Sequence, residues 1–145
     1  MSAAPTRLDP YKNFKFRVEI DGITVAGFSE CLGFGSEVEV IEYREGSDQA
    51  VRKLPGLVKY SNIVLKRGLT QSAELHQWFQ NIVSGQADRR NGSIVVLDDQ
   101  QNEAVRWKFF AAFPCKVEGP ELKASANDIA IETIELAVER LELVV

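Results

Sequence analysis

The sequence has little with which to build an active site. Its 145 residues contain one histidine, His76, two cysteines, Cys31 and Cys115, and one methionine. A lone histidine with no cysteine near it in sequence does not supply the usual metal-ligand spacings. His76 also sits beside Leu75 in a helical pattern, which reads as a boundary position rather than a site. No glycine-rich phosphate loop is present, because Gly33-Phe-Gly35 lacks a third glycine and a following helix. No Gly-x-Ser-x-Gly elbow occurs. The adjacent carboxylates Asp98 and Asp99 fall in a polar stretch between two strand patterns, where aspartate is favoured for turn hydrogen bonds. No enzymatic activity, metal or cofactor is therefore expected.

Other absences narrow the class further. No apolar run approaches the roughly 20 residues of a membrane-spanning helix. The first residues, Met1 to Arg7, lack the apolar core of a signal peptide, so Sec-type export is not expected. Seventeen basic against 21 acidic residues give a net charge of −4, which argues against a surface built to neutralise a phosphate backbone. The two cysteines lie far apart in apolar surroundings and read as small buried hydrophobes rather than a disulfide pair.

What is present is strand pattern. Apolar and charged residues alternate from Phe14 to Ile20, giving a strand with one buried and one wet face. Asp21-Gly22 then predicts a tight hairpin into a second strand starting at Ile23, which Gly27, Gly33 and Gly35 interrupt. A third strand is expected over residues 37–43 and a fourth over 57–66, joined by a polar, turn-rich connector, 44–56, long enough to suggest a functional loop. One helix follows, with Thr70 as N-cap and Gly85 as its stop. Leu75, Trp78, Phe79 and Ile82 fall at i, i+3, i+4 and i+7, a single stripe that would pack on a sheet.

Asn91-Gly92 predicts a turn into the strand 93–97, and a strand carrying Val105, Trp107, Phe109, Ala111 and Phe113 on one parity is expected to end or kink at Pro114. In the last strand, Ile129 and Ile131 are out of phase with Ile134, Leu136 and Val138, which suggests a bulge. The fold class is mainly β, a barrel or sandwich with one flanking helix, and residues 1–145 read as a single domain.

Charge is segregated along the chain. Residues 30–45 contain Glu30, Glu37, Glu39, Glu42 and Glu45 against Arg44 alone, whereas 52–67 contain Arg52, Lys53, Lys59, Lys66 and Arg67 and no acid. Paired as a hairpin, these segments would set an acidic strand beside a basic one, each cross-strand pair contributing about 0.2–1 kcal/mol. A long two-stranded arm with open edges invites pairing with a neighbour. Complementary edges favour head-to-tail association, which closes into a ring.

The ordered series Asp9-Pro-Tyr-Lys-Asn-Phe-Lys-Phe-Arg-Val-Glu-Ile-Asp-Gly22, Gly27-Phe-Ser-Glu-Cys-Leu-Gly33, Glu42-Tyr-Arg-Glu-Gly46, Lys53-Leu-Pro-Gly56 and Ile63-Val-Leu-Lys-Arg-Gly68 resembles contractile phage tail-tube proteins. It is equally similar to the inner-tube proteins of phage-tail-like contractile injection systems. Trp78-Phe79, Arg89-Arg90, Trp107-Lys-Phe through Pro114, and Ala130-Ile-Glu-Thr-Ile-Glu-Leu-Ala-Val-Glu139 continue the match over nearly the whole chain.

That resemblance implies a tail-tube-type barrel whose long β-hairpin serves ring assembly. It implies homo-hexameric rings stacked into a hollow tube inside a sheath, with baseplate or spike-hub and tube-terminating proteins as further partners and no membrane insertion of its own. DNA or a protein effector would pass through the lumen on sheath contraction. The protein would be made in the bacterial cytoplasm and assembled into a phage tail or an injection particle.

Carried onto this chain, Glu37, Glu39, Lys59 and Ser61 would face the lumen, while Val38, Val40, Val58 and Tyr60 pack inward. Arg44, Glu45, Asp48, Arg52 and Lys53 would reach the next subunit or ring. The alternative reading is a small monomeric β-barrel that grips a ligand with the 44–56 loop and encloses an apolar pocket.

Overall fold

The computed structural model describes residues 15–23, 27–69, 73–125 and 127–144. Nine strands and one helix follow in the order β1 (Phe16–Ile20), β2 (Phe28–Leu32), β3 (Ser36–Tyr43), β4 (Arg52–Tyr60), β5 (Ile63–Gly68), α1 (Glu74–Val83), β6 (Arg90–Leu97), β7 (Glu103–Glu118), β8 (Ile131–Ala137) and β9 (Arg140–Val144). All pairings are antiparallel. One path of hydrogen bonds runs β1-β6-β7-β8-β5-β2, with β9 added on β7, and β3 and β4 form a separate two-stranded ribbon.

The long strand β7 joins the two layers. Its first half lies between β6 and β9, and its second half, from Phe113, pairs with β8. Pro114 does not end it, as the sequence suggested. The strand instead changes phase at Ala111, whose φ of 52° inserts a bulge opposite Arg90–Gly92. Phe109 is buried on one parity, and Ala112 and Pro114 on the other. The Ala111 amide, displaced from the ladder, donates to Asn91 Oδ1 at 3.0 Å. Asn91-Gly92 is thus part of β6 and not a turn. Gly92 must be glycine because a Cβ there would strike the Glu19 carbonyl and the Phe109 ring.

A single apolar cluster fills the space between the layers. Val18 and Ile20 of β1, Ile94 of β6, Phe109 of β7 and Leu141 of β9 meet Ile63 and Leu65 of β5 and Ile134 and Leu136 of β8. Helix α1 closes one side with Leu75 and Trp78, both buried, and packs on β7. Trp78 Nε1 donates to the Asp88 carbonyl at 2.7 Å, so the ring is buried without losing its hydrogen bond. Ile82 packs partly on the cluster, while Phe79 is half-buried.

The helix stops as Gly85 predicts. With φ at 92°, Gly85 lets its own amide reach the Ile82 carbonyl and the Gln86 amide reach that of Asn81, the reciprocal pair of a Schellman motif. At the other end the cap position is Ala73, with no side-chain cap, and the expected cap Thr70 lies outside the described residues.

Two further expectations change. The Asp21-Gly22 turn forms, with the Ile23 amide on the Ile20 carbonyl at 3.0 Å, but only Gly22 takes positive φ. Ile23 makes a single bridge to Ile20, while β1 pairs with β6 and β2 with β5; residues 24–26 lie outside the described set. The anticipated bulge in the last strand is absent from β8. Its buried positions alternate without a fault through Glu132, Ile134 and Leu136. The apparent slip in the sequence arises because a carboxylate, not an aliphatic chain, occupies a core-facing position.

Glu132 sits directly across from Arg67 on β5, and both are 1% exposed. The Arg67 guanidinium hydrogen-bonds one Glu132 oxygen, and His76 Nε2 from α1 lies 2.9 Å from the other. Burial alone would push the Glu132 carboxyl up. The hydrogen bonds from Arg67 and His76 outweigh it and hold the group below its ordinary value.

Candidate assembly interface

The ribbon β3–β4 differs from everything around it. All eight residues of β3 are exposed, and in β4 only Gly56 and Tyr60 are partly covered. The expected fourth strand, 57–66, is two strands in different sheets, and β4 begins at Arg52, inside the predicted loop. The connector is therefore 44–51, shorter than 44–56. Arg52 and Lys53 belong to the ribbon, paired across from Tyr43 and Glu42.

The ribbon leaves the sandwich at a double hinge. Chain β2–β3 breaks at residues 33–35 and chain β4–β5 at 61–62, side by side. Gly33, with φ at 94°, lies so close to the Asn62 carbonyl that a Cβ would strike it. Ser61 locks the crossing: its amide and hydroxyl donate to the Gly35 carbonyl at 2.9 and 3.1 Å, and its Oγ accepts from the Gly35 amide at 2.8 Å. Phe34, between the glycines, packs edge-on against Trp107 with centroids 5.3 Å apart, anchoring the hinge to the sandwich.

Opposite charges meet across the ribbon as the segregated sequence predicts. Glu37 pairs in register with Lys59, and Glu42 with Lys53. At the tip, Tyr43 Oη donates to Glu45 at 3.2 Å, and Arg52 lies 3.4 Å from Asp48. Arg44 is exposed beside them. Residues directly opposite share a face. Glu37, Glu39, Lys59 and Ser61 thus fall by alternation on one face, and Val38, Val40, Val58 and Tyr60 on the other.

Only Tyr60 reaches the core cluster; Val38, Val40 and Val58 remain 47%, 59% and 51% exposed. Among the described residues no layer lies behind these three side chains to give the inward packing expected of them. Sequence reasoning found the ribbon through its charges. The break at Gly33 and Gly35 was also visible, but the second half of the hinge was not, because 57–66 read as one continuous strand through Ser61-Asn62.

Asp98 caps its own turn, Oδ1 accepting from the Gln100 and Asn102 amides at 2.9 Å each. Among the described residues no group of three or more His, Cys, Asp or Glu side chains is placed to hold a metal ion. Both cysteines are free: Cys31 is partly buried, its thiol pushed up to about 12 by that burial, and Cys115 is exposed rather than buried. No helix among the described residues is long and apolar enough to cross a membrane.

An open cleft of about 580 Å³ lies between the β1 and β2 edges, lined by Phe16, Cys31, Phe34 and Trp107 among others. No residue of the 44–51 loop contributes to it. The closed pocket demanded by a ligand-gripping loop is not what the described residues form.

Among curated proteins nothing matches significantly. Solved structures do match over nearly the full length of both chains. A chain of the PVC sheath–tube complex, an extracellular contractile injection system in the extended state, is 27% identical with a TM-score of 0.84, covering 92% of this chain and 90% of that one. The PVC sheath/tube terminator structure in the extended state gives 26% identity and a TM-score of 0.89 over 97% and 100%. A chain of the anti-feeding prophage tube-terminating cap gives 24% and 0.88 over 97% and 95%, a likeness of fold. Hcp1 from Flavobacterium johnsoniae shares the fold more loosely, at 16% identity and a TM-score of 0.56 over 90% and 94%. The family model described as T4-like virus tail tube protein gp19 matches residues 12–142. A mainly antiparallel β fold with one helix, an exposed charged ribbon and a family match over almost the whole length lead to one conclusion: the chain belongs to the T4-like virus tail tube protein family and is a structural tube subunit.

Proposed function

We propose that this chain forms hexameric rings that stack into the inner tube of a contractile particle, through which DNA or a protein effector passes when a surrounding sheath contracts. The observation that carries this reading is the ribbon: two paired strands whose apolar residues, Tyr60 apart, are left largely exposed by the described residues of the chain. Such a surface is stable in water only when a neighbour buries it. The likeness above 25% to chains of extracellular contractile injection particles supports an injection-system tube over a phage tail.

In this reading the whole chain acts as one tube-forming unit with no catalytic role. Its ribbon face bearing Glu37, Glu39, Lys59 and Ser61 lines the lumen. Tyr60, on the opposite face, packs towards the core cluster, so the charged face points away from the sandwich, as a channel lining would. The tip, with Arg44, Glu45, Asp48, Arg52 and Lys53, reaches a neighbouring subunit. A sheath, a baseplate hub and a tube terminator are the further partners, and assembly follows synthesis in the bacterial cytoplasm.

Sizing chromatography with negative-stain electron microscopy tests the reading. Rings or hollow tubes are the expected result. Charge reversal of Glu37 and Glu39 to Lys is expected to impair them, and tubes unchanged by that reversal would argue against a cross-subunit role for these charges.

A further inference from the structure

The sandwich is open along one side. The path of paired strands does not close, so β1 and β2 stand at its two ends, each with one edge outside the ladder. Between those edges lies the cleft of about 580 Å³. Its wall is apolar, made of Phe16, Cys31, Phe34, Ile94, Val96 and Trp107, and Glu30 is the one charged side chain among the described residues that line it. Burial in that wall pushes the Cys31 thiol up to about 12. Leu32, which also lines the cleft, stays 48% exposed. An apolar cleft of this size suits a few large side chains, since water there finds few hydrogen-bonding partners.

The chain itself arrives at this cleft. β1 contributes to the wall only Phe16, its first residue. Lys15, just before it, is held in place: its carbonyl accepts from the Leu97 amide at 2.9 Å, and its Nζ lies 3.3 Å from Asp99 Oδ1. Fourteen residues stand before Lys15 in the sequence, and Leu8, Tyr11 and Phe14 are the large apolar side chains nearest to it. Strand alternation gives Phe14 the parity of Phe16, whose side chain lines the cleft. Asp9-Pro10 is a turn signal that would let the chain double back. Residues 8–14 span about 23 Å when extended, enough to run the length of β2, a strand of five residues. Charge fits as well: Arg7 and Lys12 against Asp9 make the segment basic, and the cleft offers Glu30.

We propose that the cleft is the docking groove for this chain's own residues 8–14, with Leu8, Tyr11 and Phe14 seated against Phe16, Phe34 and Trp107. The docked segment covers the edges of β1 and β2 and completes the wall of the sandwich. An uncovered strand edge beside an apolar cleft invites association with any extended chain. A segment tethered at the cleft competes for it at an effective concentration of about millimolar, and so keeps such partners out. The proposal does not rest on the tube reading, because the contacts lie within one chain and are present in the monomer.

Cys31, in the cleft wall, reports on the occupant. In a full chain carrying Cys115→Ser, Cys31 is the one thiol left, and its modification by iodoacetamide is followed at low protein concentration with circular dichroism as the check on folding. The changes Leu8→Ser, Tyr11→Ser and Phe14→Ser made together are expected to speed that modification roughly tenfold with the spectrum unchanged. An unaltered rate would overturn the proposal. So would protection that disappears on dilution, which would assign the cleft to a second copy. A second measurement keeps an aromatic anchor in place: the full chain carrying Tyr11→p-benzoylphenylalanine is irradiated and its products are mapped by mass spectrometry. Crosslinks within one chain to residues of the cleft wall such as Phe34 or Trp107 are expected. Crosslinks elsewhere on the chain, or only between chains, would overturn the proposal while leaving the tube reading intact.

Discussion

The sandwich and the ribbon are made of strands of similar length and composition, yet one spends its apolar residues inward and the other leaves them in water. In β5 and β8 the alternation resolves into buried and half-buried positions that meet across one core. In β3 the same kind of alternation yields eight exposed residues. The difference lies in topology rather than propensity. The sandwich strands have layers behind them, whereas the ribbon leaves at the Gly33–Asn62 hinge and, among the described residues, each of its strands pairs with the other alone. In the proposed reading the first region encodes the fold and the second the assembly, so the two are expected to be separable by mutation.

The largest expected effect lies at the buried ion pair. Replacing Glu132 with Ala removes the carboxylate that balances Arg67 inside the core and is expected to cost about 3–5 kcal/mol of folding stability. The double change Arg67→Met with Glu132→Leu should recover most of that loss, as apolar replacement of a whole buried pair is often neutral. Denaturant unfolding measures both. A Glu132→Ala chain as stable as wild type would break the claim that the sandwich alone carries the fold's cohesion at this point.

Next comes Leu65→Ala in the core, expected to cost about 2–5 kcal/mol. It is to be compared with Val40→Ala on the ribbon, expected to stay within about 0.5 kcal/mol of wild type. The second variant should nevertheless reduce tube yield. Equal destabilisation by the two would erase the distinction between the regions.

Acid sharpens the same contrast. The Glu132 carboxyl titrates below its ordinary range in the folded chain, so its contribution is fully present above the unfolded value, about 4.3. It is lost as pH falls through the lower folded value. Thermal melts from pH 6 downward should show wild type losing stability below about pH 4.3 more steeply than the Arg67→Met/Glu132→Leu chain. A similarly small effect is expected from Lys59→Glu, which breaks one cross-strand pair on the ribbon and should lower monomer stability by about 0.2–1 kcal/mol.

Much of this architecture is legible in the residues, and the gaps have physical causes. Alternation located β1, β3 and β7, the apolar run 93–97 located most of β6, and helical spacing with Gly85 located α1 and its stop. Pairing partners were less accessible, because a strand pattern records a buried face but not which strand lies beside it; β1 took β6 in place of the expected hairpin. Phase changes misled in two ways. The slip around Ile131 was a buried charge rather than a bulge, while the register shift at Ala111 has no glycine on its own strand to announce it. The ribbon's charge pairing was visible, since opposite charges were segregated by segment. Its exposure was not, because Val38 and Val58 read the same whether a layer of the same chain or a neighbouring chain lies behind them.

The most direct test of the central claim is electron microscopy of the purified full chain at high concentration, with two-dimensional averages of whatever assembles. Hollow tubes of stacked rings, with the β3–β4 ribbons forming the inner wall, are the predicted result. Particles that remain monomeric, or rings whose central wall is formed by helix α1 or strand β9 with the ribbon on the outside, would contradict it.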